Sequence, residues 1–152
     1  MNQPIIEILK ICDRHAARLN WAMMELQAHF PLSAASLGNL TDLDCAVLDQ
    51  FSTRFGKLQD AMGAKLFPAI LELTKEQGEL KAFIDKLHRL EKIGAIQSAD
   101  EWLLLREVRN AFSHDYPDDS ELQASALNQA YLLARDLLTV FAGVKTFVAA
   151  YL

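Results

Sequence analysis

A segment late in the chain concentrates the side chains best suited to chemistry. Residues 109–116 read Arg-Asn-Ala-Phe-Ser-His-Asp-Tyr, so a guanidinium, an amide, an imidazole and a phenol follow one another closely. Pro117 comes directly afterwards, and proline is not tolerated in a helix interior. The sequence therefore predicts that the imidazole and the phenol lie at a helix C-terminus, where side chains can face a cleft.

Arg109 and His114 are suited to chemistry on a phosphate. The planar guanidinium donates bidentate, charge-assisted hydrogen bonds to phosphate oxygens. An imidazole with a pKa of about 6.5 supplies both proton forms near neutral pH. Together they suggest attack of a ribose 2′-hydroxyl on the adjacent phosphodiester, with His114 moving protons, Arg109 holding the phosphoryl group and no metal required.

Helix geometry both supports this hypothesis and leaves an alternative open. Arg106, Asn110 and His114 are four residues apart and form one polar ridge, in which Asn110 would orient the reacting groups. Arg109 and His114 are about 140° apart around a helix axis, so they converge only if the helix ends or the arginine reaches around. A histidine that simply interacts with the dipole of a helix C-terminus is the plain alternative.

Three polar residues of an earlier helix are possible members of the same cleft, with Arg54 and Asp60 as possible supporting residues. Arg54, Gln59 and Asp60 lie within one segment, 54–60, of sequence Arg-Phe-Gly-Lys-Leu-Gln-Asp. Ordinary exposed helix positions would explain all three of them more simply.

Length and composition predict one domain spanning residues 1–152. About half of the residues are hydrophobic, which is enough for a core without disulfides or metals. Cys12 and Cys45 are far apart and are expected in the core as small hydrophobic residues. The sequence has no cluster of His, Cys and acidic residues, so no metal site is expected. It also has no glycine-rich phosphate loop, so no cofactor is expected.

Charge and hydropathy exclude two broad classes. A formal net charge of −5 disfavours a large nucleic-acid-binding face, although a small phosphate site remains possible. No apolar run approaches the roughly 20 residues of a membrane span, and the N-terminus does not resemble a signal peptide. We therefore expect a cytoplasmic protein that does not bind membranes.

Hydrophobic spacing predicts an all-α fold, an antiparallel up-and-down bundle of four long helices plus a short one. Thr41 and Ser98 are expected to cap helices and Gly94 to stop one, while Pro68 breaks or kinks the second long helix. Six segments carry the helical pattern: residues 4–29, 41 to about 68, a shorter segment 69–77, 79–93, about 99 to 113, and a final long helix capped by Asp118 or Ser120.

The apolar surface of the last helix is wider than one packed face requires. A main stripe is expected to be buried, and further apolar residues lie beside it; the stripe is Leu127, Ala130, Ala134, Leu137, Phe141, Val144 and Val148, and the extra residues are Leu133, Leu138, Phe147 and Tyr151. A homodimer interface would use this surplus. Trp21 and Trp102 are expected to anchor the core or that interface.

The motif and its context resemble the HEPN-domain proteins, in particular the HepT-like toxins. Their signature R-x-x-x-x-H-x-Y is matched by Arg109, His114 and Tyr116, with the polar Asn110 after the arginine. Residues 54–60, the chain length and the motif's position between the last two long helices are similar too, so the resemblance covers essentially the whole chain.

The resemblance implies a metal-independent endoribonuclease toxin that acts as a homodimer, with Arg109 and His114 catalytic. It also implies an antitoxin partner, an MNT-type nucleotidyltransferase that transfers AMP from ATP to Tyr116. Acidic residues near the motif would repel RNA unless they pair with Arg106, Arg109 or basic residues of a second subunit; they are Asp115, Asp118, Asp119 and Glu121. Two alternatives remain: a non-catalytic binding or regulatory subunit of a nucleotidyltransferase, and a structural dimer with a fortuitous motif.

Overall fold

The computed structural model describes residues 3–76, 82–112 and 119–152, except the side chains of Gln3, Ala111 and Phe112. Within these ranges the chain is helical and contains no strand, which confirms the all-α class. The elements are α1 (Gln3–Leu26) with a 3₁₀ turn (Gln27–His29), α2 (Ala34–Gly38), α3 (Asp42–Ala61), a π-turn (Met62–Leu66), α4 (Phe67–Leu73), α5 (Phe83–Lys92), α6 (Ala99–Phe112) and α7 (Ser120–Ala149).

Local capping signals place several helix ends where the sequence predicts them. The Thr41 hydroxyl accepts a hydrogen bond from the Asp44 N–H at 3.1 Å, and the Asp44 carboxylate accepts one from the Thr41 N–H at 3.2 Å. The Ser98 hydroxyl accepts from the Glu101 N–H at 3.1 Å at the start of α6. Gly94, with a φ of 87°, follows the end of α5.

Three features of the helices differ from the predictions. Of the break or kink predicted at Pro68, the break does not occur, because the π-turn before it changes the hydrogen-bond spacing where proline lacks an N–H. The segment before Thr41 contains the short helix α2, capped by Ser33. Asp119, and not Ser120, caps α7 by accepting from the Leu122 N–H at 2.9 Å; Asp118 lies outside the described residues.

The buried core joins all the longer helices. α1 packs along α3, α6 packs on α7, and α3 contacts α6. Every residue of the predicted α7 stripe is buried. Leu133, Leu138 and Phe147 are half-buried against the same core, so most of the supposed surplus is used within the chain, and Tyr151 alone of the four is exposed.

Of the two cysteines expected in the core, only one lies there. Cys45 is exposed, whereas Cys12 is buried and its burial raises the pKa of its thiol to about 11. Trp21, expected in the core or at an interface, is 45% exposed, while Trp102 is buried in the core.

In the part of the chain described here, no helix is long and apolar enough to cross a membrane. The antiparallel up-and-down arrangement and the homodimer remain predictions.

Candidate functional site

A cleft of about 400 Å³ opens where α3, the π-turn, α5 and α6 come together. Its size is within the range of small-molecule sites. The two segments singled out in the sequence analysis, residues 54–60 and 109–116, both contribute residues to it. The lining residues are Gln59, Asp60, Gly63, Ala64, Phe83, Trp102, Arg106, Arg109 and Asn110.

Arg109 is fixed at this cleft by residues of α3. Its Nη2 donates to Asp60 Oδ2 at 2.8 Å, with one third of the arginine side chain still exposed. Gly56 makes the approach possible, because a Cβ added there would lie 3.2 Å from Arg109 Nε. A guanidinium has five N–H donors in a planar fork, so one carboxylate can orient it while further donors serve a ligand.

The polar ridge predicted on α6 also reaches the cleft. Arg106 and Asn110 both line it, and the Arg106 guanidinium carbon lies 5.1 Å from the centre of the Phe83 ring. This is a cation–π distance. The Asn110 amide oxygen accepts a long, 3.5 Å contact from Arg109 Nη1. Together with Arg109, the ridge therefore places two guanidinium groups and an amide at the cleft.

Arg54 lies elsewhere. Its Nη1 is 2.9 Å from His15 Nδ1 of α1, and Arg54 is not among the residues that line the cleft. Since arginine only donates, His15 Nδ1 accepts and the imidazole is neutral. Burial, assisted by the nearby charge of Arg54, lowers the pKa of His15. Arg54 thus joins α3 to α1 through His15, and it does not line the cleft that it was expected to support.

The remaining motif residues, His114 and Tyr116, lie outside the described residues, as do Asp115 and Asp118. Of the acidic residues expected to crowd the motif, Asp119 caps α7 and Glu121 is exposed in its first turn. The acidic partner that the structure gives Arg109 is Asp60, 49 positions earlier.

The sequence interpretation missed three contributors to the site: Gly56, Gly63 and Phe83. A signal for the two glycines exists in the spacing of Gly56, Asp60 and Gly63. Positions four and seven apart share one helix face, so two glycines there mark a face that another group approaches closely. Gln59 lines the cleft, which was one of its two interpretations, but its burial was not predicted, since a glutamine in a helix is usually exposed.

The described charges of the cleft are two guanidinium groups, on Arg106 and Arg109, against one carboxylate, on Asp60. The site is therefore locally cationic in a chain of net charge −5. Among residues 3–76, 82–112 and 119–152, no three His, Cys, Asp or Glu side chains are grouped so that they could hold a metal ion.

Comparison of the chain with protein-family models, with curated proteins and with solved structures found no match.

Proposed function

We propose that the protein is a metal-independent endoribonuclease of the HEPN type, a HepT-like toxin. The observation that carries the proposal is the position of Arg109, held by Asp60 in a cationic cleft beside Asn110 and Arg106. The next imidazole in the chain, His114, follows five residues later. A fixed guanidinium is a suitable group to bind a phosphodiester and to stabilise its developing charge.

In the proposed reaction His114 takes the proton of a ribose 2′-hydroxyl. The O2′–P bond forms while the P–O5′ bond breaks, which leaves a 2′,3′-cyclic phosphate and a 5′-hydroxyl. The leaving O5′ takes a proton from an imidazolium, which we assign to His114 of a second copy in a homodimer. One imidazole then acts as the base and the other as the acid. Arg109 holds the phosphoryl oxygens, and Asn110 orients the attacked group.

The proposal includes control by a cytoplasmic partner, an MNT-type nucleotidyltransferase antitoxin. It would join the phenolic oxygen of Tyr116 to the α-phosphorus of ATP with release of pyrophosphate. The added phosphate places negative charge two residues from His114 and competes with RNA for the guanidinium groups. With this added negative charge, the modified motif would no longer bind a phosphodiester.

The test compares RNA cleavage by the unaltered chain and by two matched histidine variants. His114→Ala is expected to abolish cleavage, whereas His88→Ala, at an exposed position of α5 outside the cleft, retains it. Arg109→Ala should reduce cleavage by at least about a hundredfold, as expected for loss of a transition-state charge contact. Addition of EDTA should change none of these rates.

Cleavage that survives in His114→Ala, or no cleavage by the unaltered folded chain, would refute the ribonuclease. Incubation with the nucleotidyltransferase, ATP and magnesium should add AMP to the unaltered chain but not to Tyr116→Phe, as read by peptide mass. Stable binding of the partner without cleavage would favour the non-catalytic regulatory subunit instead.

A further inference from the structure

Two residues that line the cleft each bury a polar nitrogen without a hydrogen-bond partner among the described residues. The two nitrogens are Gln59 Nε2 and Trp102 Nε1, whose residues are 3% and 2% exposed. Both residues line the cleft next to Arg109. Burying an N–H group without an acceptor is unfavourable, and native proteins rarely tolerate it without a functional reason. Two such donors at one cleft indicate a ligand that brings acceptors.

The walls around these donors suit a flat ring. Phe83 presents an aromatic side chain, with the Arg106 guanidinium 5.1 Å from its centre. Gly63 keeps the space open, because a Cβ there would contact the Trp102 ring at 3.4 Å and the Phe83 ring at 3.7 Å. Single-stranded RNA is commonly bound in this way, with unstacked bases against aromatic and arginine planes and hydrogen bonds to their edges.

We propose that the cleft binds one nucleobase of the RNA, with the adjoining phosphate on Arg109. The two unpaired N–H donors match a base edge with two neighbouring acceptors. Guanine offers N7 and O6, and cytosine offers O2 and N3. Adenine places an amino donor beside N7, and uracil separates its two carbonyls by an N–H. The substrate class is therefore RNA with guanine or cytosine at this position, a choice that rests on the proposed function.

The base pocket can be tested without cleavage. Nucleoside 3′-monophosphates of guanine, cytosine, adenine and uracil are titrated into the full chain by calorimetry. We expect the guanine or the cytosine nucleotide to bind at least about tenfold more tightly than the adenine and uracil nucleotides. Adenine and uracil would each leave one of the two protein donors without an acceptor. Comparison of the first two nucleotides identifies which acceptor edge is bound.

Matched variants assign the preference to the two donors. Gln59→Leu should reduce the preference by about tenfold, and Trp102→Phe, which keeps an aromatic ring but lacks the N–H, should do likewise. Gln50→Leu is the control: it lies on the same helix, nine positions and about 180° from Gln59, and should bind as the unaltered chain does. In a Trp21→Phe background, Trp102 is the remaining tryptophan, so a change in its fluorescence locates the ligand.

Equal affinity for the four nucleotides, or a preference that Gln59→Leu leaves unchanged, would overturn the base pocket. RNA cleavage by the same preparation would then leave the ribonuclease intact. A base preference that depends on Gln59 in a chain that cleaves no RNA would do the reverse, supporting the pocket and refuting the ribonuclease. The two proposals therefore fail separately.

Discussion

Gly56 offers a sharp test of how Arg109 is positioned, because its replacement should stabilise the helix and damage the site together. Gly56→Ala adds a methyl group that would lie 3.2 Å from Arg109 Nε, closer than an ordinary contact. The guanidinium would have to move by a few tenths of an ångström, away from its 2.8 Å contact with Asp60.

The magnitude follows from two opposing contributions to the free energy of unfolding. Glycine in a helix interior is less favourable than alanine by up to about 1 kcal/mol. The Arg109–Asp60 pair is partly exposed, with one third of the arginine and 59% of the aspartate side chain accessible, so loosening it costs at most about 1 kcal/mol. We therefore expect a net gain between zero and about 1 kcal/mol for Gly56→Ala.

Gly143 is the matched control, because it is also helical and a Cβ there would meet nothing within 4 Å. Gly143→Ala should gain the full helix-propensity difference of about 1 kcal/mol, or about 2–4 °C in Tm for a chain of this size. The difference between the two variants, from thermal or urea unfolding, measures the cost of displacing Arg109.

Activity should separate the same two variants. In the proposed reaction Arg109 binds the reacting phosphate, and a displacement of about 1 Å of such a group can lower the rate a hundredfold. We expect about a tenfold lower rate of RNA cleavage for Gly56→Ala and an unchanged rate for Gly143→Ala. If Gly56→Ala gains as much stability as Gly143→Ala and cleaves at the normal rate, Arg109 is not held as we argue.

Further predictions concern stability. Gln59→Leu removes a buried N–H group that lacks a partner among the described residues, so it should raise the free energy of unfolding by about 1 kcal/mol, seen as a higher urea midpoint; a loss of stability would show that Gln59 has a structural bond. Gly94→Ala should lower stability by about 1 kcal/mol, because φ is 87° there and no side chain crowds the site; an unchanged Tm would contradict this. The lowered pKa of His15 means that the unfolded chain binds its proton more readily, so stability should fall as pH drops below about 6.5. His15→Asn, which can still accept a hydrogen bond from Arg54, should remove that part of the pH dependence. If the pH profile of stability is unaltered in this variant, His15 is not its cause.

Local sequence signals determined the helical character of this chain and several of its boundaries. Thr41 and Ser98 cap helices through hydrogen bonds to residues three positions later, and Gly94 ends one through its own φ. Such interactions involve neighbours in the chain, so residue types and spacing suffice to predict them. The buried stripe of α7 was predictable for a similar reason, because helical periodicity fixes which residues share a face.

The same reasoning failed where a neighbouring element decides the outcome. Its hydrophobic character alone placed Cys45 in the core, whereas the folded chain leaves this residue exposed. The proline predicted a break or a kink at Pro68, whereas the chain continues without a break from α3 through a π-turn into α4. Propensities of this size are routinely overridden by tertiary contacts.

The sequence by itself determined which residues could perform chemistry: Arg109 and Asn110 were identifiable from their types and order. Only the tertiary structure decided their partners. Asp60 pairs with Arg109 across 49 positions, and Arg54 turns to His15 instead. The physical reason is that a hydrogen bond between helices depends on the relative register and rotation of both, and one helix's spacing carries no information about the other.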